Sequence, residues 1–343
     1  MTFRILTRLA CLTLAIAAPA RAADKPLFAS SDKIRISIVA PLASLINNRG
    51  FRGKVAGTLT DPTGQSLPIG LSLRGITRRT AEICSFPPLR VDFTAPPPAS
   101  SIFAGQKKLK LITHCQNSAA FRQYVLLEYS AYGMYNLLTP RSFRARLADI
   151  EYKDPGGRPV VYQIGYFLED LDDVAHRNNM RQVHAGDRIP LEYLSAPDSA
   201  RYTMFQHMIG NHDWSIRAGP AGKDCCHNAE LIGAAAPGQI VPIPYDFDYS
   251  GLVDPPYATP PAELSISDVK QRYYRGYCAQ NADAIAAAQQ MRQLRPQILK
   301  VLTEVPGLDG RSQGRAAAYL EHFFSDIATD ADVGSKLLKR CAR

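Results

Sequence analysis

From Lys33 to Phe93, short runs of alternating apolar and polar residues are broken by turn residues: "IRISIV", "KVAGTLT", the turn "DPTGQS", then "IGLSLRG" and "LRVDF". Alternation with period two, bounded by Pro, Gly, Asp and Ser, is the pattern of half-buried strands, so an antiparallel sheet is predicted here. The proline-rich "TAPPPAS" reads as a surface loop, and "KKLKLITHC" after it alternates charged and apolar residues as a further strand. The period then changes. Val125, Leu126, Tyr129, Tyr132, Met134 and Leu137 fall at helical spacing within residues 119–138, with Glu128 near the middle, and predict one long helix. "FRARLADIEYKD" and "RPVVYQIGYFLE" follow as a hairpin.

After Glu169 the character shifts, because "EDLDDVAHRNNM" opens a stretch with fewer β-branched runs. Helices are predicted from Ala200 to Ile209 and again from Ser267 onward, with loops and short strands across residues 210–257. A boundary at Glu169 separates a β-rich unit with one long helix, residues 23–169, from a mostly helical unit, residues 170–343, and the class expected is α+β. Residues 1–22 stand apart from both. Arg4 and Arg8, the apolar stretch Leu9 to Ala18, and Ala20-Arg21-Ala22 have the order of a cleavable secretory signal, with cleavage expected after Ala22 and a periplasmic or secreted product. That stretch is too short to span a bilayer, and nothing later in the chain is long and apolar enough to do so.

Export changes the reading of the cysteines. Of seven, Cys11 leaves with the signal, and six remain in an oxidising compartment, which favours disulfides. Cys225 and Cys226 are adjacent, so each is expected to bond a different partner, with Cys278 a candidate for one of them. Cys84 and Cys115 flank the strands that carry Arg90 and Lys110, and a bond between them would brace that region. Spacing alone does not decide the connectivity. The formal charge of +9 falls to +6 once Arg4, Arg8 and Arg21 are removed (9 − 3), but the basic residues are dispersed among acids without an aromatic-interleaved run. Nucleic-acid binding is therefore not expected.

The densest chemistry lies in "GNHDWS", "CCHNAELI" and "IPYDFDYSG". Phosphoryl transfer needs a carboxylate for the acceptor hydroxyl, an amide and a second carboxylate for a divalent metal, and cations for the nucleotide phosphates. Asp213, Asn228 and Asp246 have those types in that order. "GNHD" also occurs in calcineurin-like metallophosphoesterases, but that site requires Asp-x-His, Gly-Asp-x-x-Asp and Gly-His-x-His, and this chain has none of them.

Taken in order, "LSLRGITRR", "FPPLRVDF", "LLEYSAYGMYNLLTPRSFRARL", "YQIGYFLEDLDDV", "IGNHDWS", "HNAELI" and "IPYDFDYS" resemble the CotH-like family of secreted atypical kinases, with similarity to HipA-type kinases in the central motifs. The resemblance implies a bilobal protein-kinase-like fold, with an N-terminal β-rich lobe and a C-terminal helical lobe. It implies ATP or another nucleotide as donor, Mg²⁺ or Mn²⁺, and a hydroxyl acceptor on a protein or small molecule. Carried over, Asp213 is the catalytic aspartate, and Asn228, Asp246 and Asp248 are the metal ligands. Lys110 is the phosphate-binding lysine, with Glu128 as its ion-pair partner and Arg90 as a competitor for its role. Glu169 lies at the hinge, and Arg74 and Arg78 lie near the nucleotide phosphates. Two departures stand out: fourteen residues separate Asp213 from Asn228 where kinase loops usually have four, so "SIRAGPAGKDCC" must loop out and return, and no Gly-x-Gly-x-x-Gly loop is present. The alternative is a catalytically inactive binding or structural protein of the cell envelope.

Overall fold

The structure, a computed structural model, describes residues 25–343; the expected export signal, residues 1–22, lies outside the described residues. Strands β1 (Ile34–Val39), β2 (Val55–Thr60), β3 (Ser66–Leu73), β4 (Leu89–Phe93) and β5 (Lys108–Ile112), with the short helix α1 (Leu42–Asn47) after β1, precede the long helix α2 (Ala119–Leu138). The hairpin β6 (Ala145–Lys153) and β7 (Pro159–Leu168) follows it. Then come α3 (Leu171–Arg177), β8 (Arg181–Gln182), α4 (Ala196–Ile209), β9 (Ala229–Gly233), β10 (Ile240–Pro244), α5 (Asn281–Glu304) and α6 (Gly310–Asp326).

Local chemistry accounts for the main joints. In the β2–β3 turn, Asp61 Oδ1 accepts from the backbone N–H groups of Thr63 and Gln65 at 2.9 and 3.0 Å, and Gly64 takes the left-handed φ of 87°. Helix α2 begins where Ser118 Oγ accepts from Phe121 N at 3.3 Å. Helix α4 ends at Gly210, a left-handed cap with φ 63° directly before the Asn-His-Asp motif.

The bilobal kinase-like fold that the resemblance implies is not the fold of this chain. The strands of the N-terminal half close into a seven-stranded barrel in the order β1-β2-β3-β4-β5-β7-β6. Neighbours pair antiparallel except at the closure, where β1 runs parallel to β6 with Ile34 opposite Ala148. Leu59, Ile69, Leu71, Val91, Leu111 and Ile150 fill the interior. The outer faces of β6 and β7 are apolar as well: Leu147, Ile164 and Tyr166 pack on α2, whose Leu126 and Met134 share one core with Phe205 of α4, Leu302 of α5 and Phe323 of α6. Strands buried on both sides lose the simple alternation that marks an open sheet, and the closing pair joins positions far apart in sequence.

A three-stranded sheet, β10-β9-β8, completes the architecture. No helix among the described residues is long and apolar enough to cross a membrane. Cys84 bonds Cys115, which braces the barrel as expected. The other two bonds correct the sequence reading: Cys225 and Cys226 bond each other, and Cys278 pairs with Cys341 across a separation of 63 residues. That long loop tethers the chain end to the start of α5. Replacing Cys278 and Cys341 together by Ser is expected to lower the unfolding free energy by about 2–4 kcal/mol in non-reducing urea denaturation, and an unchanged midpoint would contradict the assignment.

Candidate functional site

The loop after β10 carries Asp246 and Asp248, and the loop after β3 carries Arg74 and Arg78. Both loops meet α2 at Glu128, and the three segments join through one side chain. Arg78 Nη1 and Nη2 donate to Glu128 Oε2 and Oε1 at 3.0 and 3.3 Å, its Nε lies 3.1 Å from Asp248 Oδ2, and Nη2 also donates to Asp246 Oδ1. Arg78, Glu128 and Asp248 are only 7%, 2% and 5% exposed while the Asp246 side chain is 32% exposed, so one guanidinium gathers two buried carboxylates and one half-buried one. Two phenols extend it: Tyr257 Oη donates to Asp248 Oδ2 at 3.0 Å, and Tyr132 Oη accepts from Asp246 N at 3.0 Å.

The carboxylates differ in their protonation. Burial pushes the Asp248 carboxyl well above the usual range, against the pull of Arg78 and with a further push from Asp246 and Glu128. Burial also raises Glu128, opposed by Arg78. At Asp246 the burial effect is outweighed by Arg78, Arg74 and Lys110, and its carboxyl lies below the ordinary range. One oxygen each from Glu128, Asp246 and Asp248 lie within 4.8 Å of one another, a spacing that can hold a metal ion. Three carboxylates against one guanidinium leave an excess of two negative charges when all are ionised, which a divalent cation would balance. On charge and donor type the cluster could hold a divalent metal ion.

Asp213 stands beside this cluster. The fourteen residues that follow it loop out and return, because Ser215 and His227 exchange backbone hydrogen bonds at 2.9 and 3.0 Å. The return places His227 Nε2 at 2.7 Å from Asp213 Oδ1, and the next residue, Asn228, donates Nδ2 to Asp213 Oδ2 at 2.9 Å and to Asp213 O at 2.7 Å. The hydrogen bond to Asp213 holds the His227 imidazole more basic than usual, over the opposing effect of burial. Asn228 and Asp246 have φ of 49° and 61°, the left-handed region, where Asn and Asp are the side chains best tolerated. Backbone strain of this kind clusters at functional sites.

Asp213, Asn228, Asp246, Asp248, Arg74 and Arg78 all line one cleft of about 430 Å³. Arg74 has no ion-pair partner among the described residues, so its charge is available to a ligand. The remaining expected residues fall elsewhere. Lys110 pairs with Glu230 at 3.1 Å rather than with Glu128, whose carboxylate Arg78 holds; its ammonium lies 4.4 Å from the centre of the Tyr245 ring. Burial lowers the Lys110 ammonium, offset by Glu230, and Asp246 is close enough to contribute.

Arg90 lies opposite Lys110 on β4 but forms a surface pair with Asp92 at 2.9 Å. Glu169 is no hinge ligand: Arg177 Nε and Nη2 donate to its two oxygens at 3.0 and 3.1 Å, and Arg144 N donates at 2.9 Å. His227, Tyr132 and Tyr257 were not picked out from the sequence. The one available signal was the adjacency of His227 to Asn228.

Glu169 provides a control for these placements. Its carboxylate is buried and bidentate with Arg177, so Glu169→Ala is expected to cost about 3–5 kcal/mol of stability in urea denaturation, and a loss under about 0.5 kcal/mol would contradict the pairing. No family model matches the chain, and no curated protein matches it.

Proposed function

We propose that the chain is an exported phosphotransferase that moves a phosphoryl group from a nucleotide such as ATP to a hydroxyl acceptor on a protein or small molecule, with Mg²⁺ or Mn²⁺. The observation that carries this reading is the meeting of Asp213 with Asp246 and Asp248 in one cleft that also holds the unpaired cation Arg74. Phosphoryl transfer asks little covalent chemistry of a protein and depends on positioning and charge neutralisation. The motif order that resembles the CotH-like secreted kinases supports the same chemistry, and the fold that came with the resemblance forms no part of it. Export is supported by the residue pattern at 1–22 and by the paired cysteines.

In this reading Asp213 orients the acceptor hydroxyl and takes its proton as the new phosphorus–oxygen bond forms and the bond to the nucleoside diphosphate breaks. His227 and Asn228 hold one carboxylate oxygen each, which fixes the plane of the group and leaves each oxygen a further lone pair. Arg74 faces the phosphates, with Lys110 close behind. Glu128, Asp246 and Asp248 would hold the divalent ion, which supplies neutralisation of phosphate charge when bound. Asn228 acts chiefly on Asp213 here, a positioning role beside the metal role that its place in the motif suggests.

One observation favours the second reading, a catalytically silent binding or structural protein of the cell envelope: Arg78 already bonds all three carboxylates of the cluster. Transfer of label from γ-labelled ATP in Mn²⁺ or Mg²⁺, to the chain itself or to an added hydroxyl acceptor, separates the two. Phosphotransfer predicts labelling by the wild type that falls at least about 100-fold in Asp213→Asn. Nucleotide-independent or absent labelling by the wild type, or equal labelling by the variant, would refute it.

A further inference from the structure

Outside the cleft, the strongest unexplained feature is a cavity of about 590 Å³ between residues 270–272, α6 and the C-terminal turn. Four cations line it, Lys270, Arg272, Lys336 and Arg340, against one carboxylate, Asp326. The imbalance among lining residues is three positive charges (4 − 1). Carboxylates just outside the lining offset the two lysines in part. Lys270 has Asp254 and Asp268 at 3.4 Å and Lys336 has Asp332 at 3.2 Å, but both lysines are close to half exposed, where such pairs are weak and exchangeable. Arg272 and Arg340 have no ion-pair partner among the described residues.

Arg272 is the most informative of the four. Its Nε and Nη2 donate to Met208 O at 3.1 and 3.0 Å, Nη2 donates also to Tyr319 O at 2.7 Å, and the guanidinium lies 3.8 Å from the centre of the Tyr319 ring. These contacts fix the plane of the group without neutralising it. Nη1 meets only His322 Nδ1 at 3.4 Å, so one edge of a pre-oriented fork is left for another acceptor. A guanidinium that only capped the C-terminal end of α4 would account for the Met208 contact, but not for Arg340 and the two lysines on the same cavity. His207, 6% exposed, also lines the cavity, and its Nδ1 has no hydrogen-bond partner.

We propose that this cavity binds a small anion bearing more than one phosphate charge, of the inorganic pyrophosphate or diphosphate-ester class. A carboxylate brings one charge to Arg272 and Arg340, the two lining cations without an ion-pair partner among the described residues, whereas a diphosphate brings two or more and offers several oxygens to planar guanidinium donors. The site is separable from the cleft because, without divalent metal, Glu128, Asp246 and Asp248 make the cleft unfavourable to a polyanion.

Titration of inorganic pyrophosphate into the full chain, in chelator and at low salt, tests this by calorimetry. One saturable site is expected, weakened at least about 10-fold in the double variant Lys336→Glu/Arg340→Glu and unchanged in Arg74→Ala; two reversed charges at this range are worth more than one factor of ten. If charge reversal lowers the melting temperature, Lys336→Ala and Arg340→Ala serve instead, each expected to weaken binding by about 3-fold or more. Absence of saturable binding, equal binding by the charge variants, or a loss confined to Arg74→Ala would overturn the proposal.

Discussion

The centre of the molecule depends on the charge of Arg78. Its guanidinium reaches Glu128 on α2 and Asp246 and Asp248 after β10, so one side chain from the barrel loop ties together three segments distant in sequence. Two unit charges about 4 Å apart repel by about 4 kcal/mol at an effective dielectric constant near 20. Without a cation among them, three carboxylates this close, two of them buried, would have to take up protons or move apart. Arg78 lowers that repulsion, while burial, with a smaller push from Asp246 and Glu128, still raises the Asp248 carboxyl. When all three carboxylates are ionised, one guanidinium leaves a net negative charge that a divalent ion would balance.

The barrel supplies the rigidity that this arrangement needs. Because β6 and β7 bury one face inside the barrel and the other on α2, the helix that carries Glu128 is fixed to the wall and to α4, α5 and α6 at once. The Arg74–Arg78 loop leaves the rim at β3, and the Asp246–Asp248 loop leaves the small sheet at β10. Asp213 follows the left-handed cap of α4, and the returning loop holds it through His227 and Asn228. Asp213, Asp246 and Asp248 thus each follow closely on a packed element, which suits chemistry that depends on positioning.

Much of this was legible locally. The apolar spacing places α2 at residues 119–138, where the structure has it, and the period-two runs mark the strands and the β6–β7 hairpin. Asp213, Asn228 and Asp246 could be singled out by residue type and order, and they line one cleft. What escaped was long-range. The parallel pairing of Ile34 with Ala148 that closes the barrel leaves no mark in either segment. That Glu128 meets Arg78 while Lys110 meets Glu230 is decided by the three-dimensional arrangement, and "CC" does not reveal that Cys225 bonds its own neighbour. Glu169 was placed by resemblance alone, and nothing in its segment announces Arg177 on both of its oxygens.

Urea denaturation of Arg78→Met, with and without saturating Mn²⁺, tests the central claim most directly. Metal-free Arg78→Met is predicted to be less stable than the wild type by about 3–5 kcal/mol, as expected when a buried charge cluster loses its counterion, and Mn²⁺ is predicted to restore a large part of that loss by taking the vacated charge balance. An Arg78→Met chain that unfolds within about 0.5 kcal/mol of the wild type and does not respond to Mn²⁺ would contradict the account.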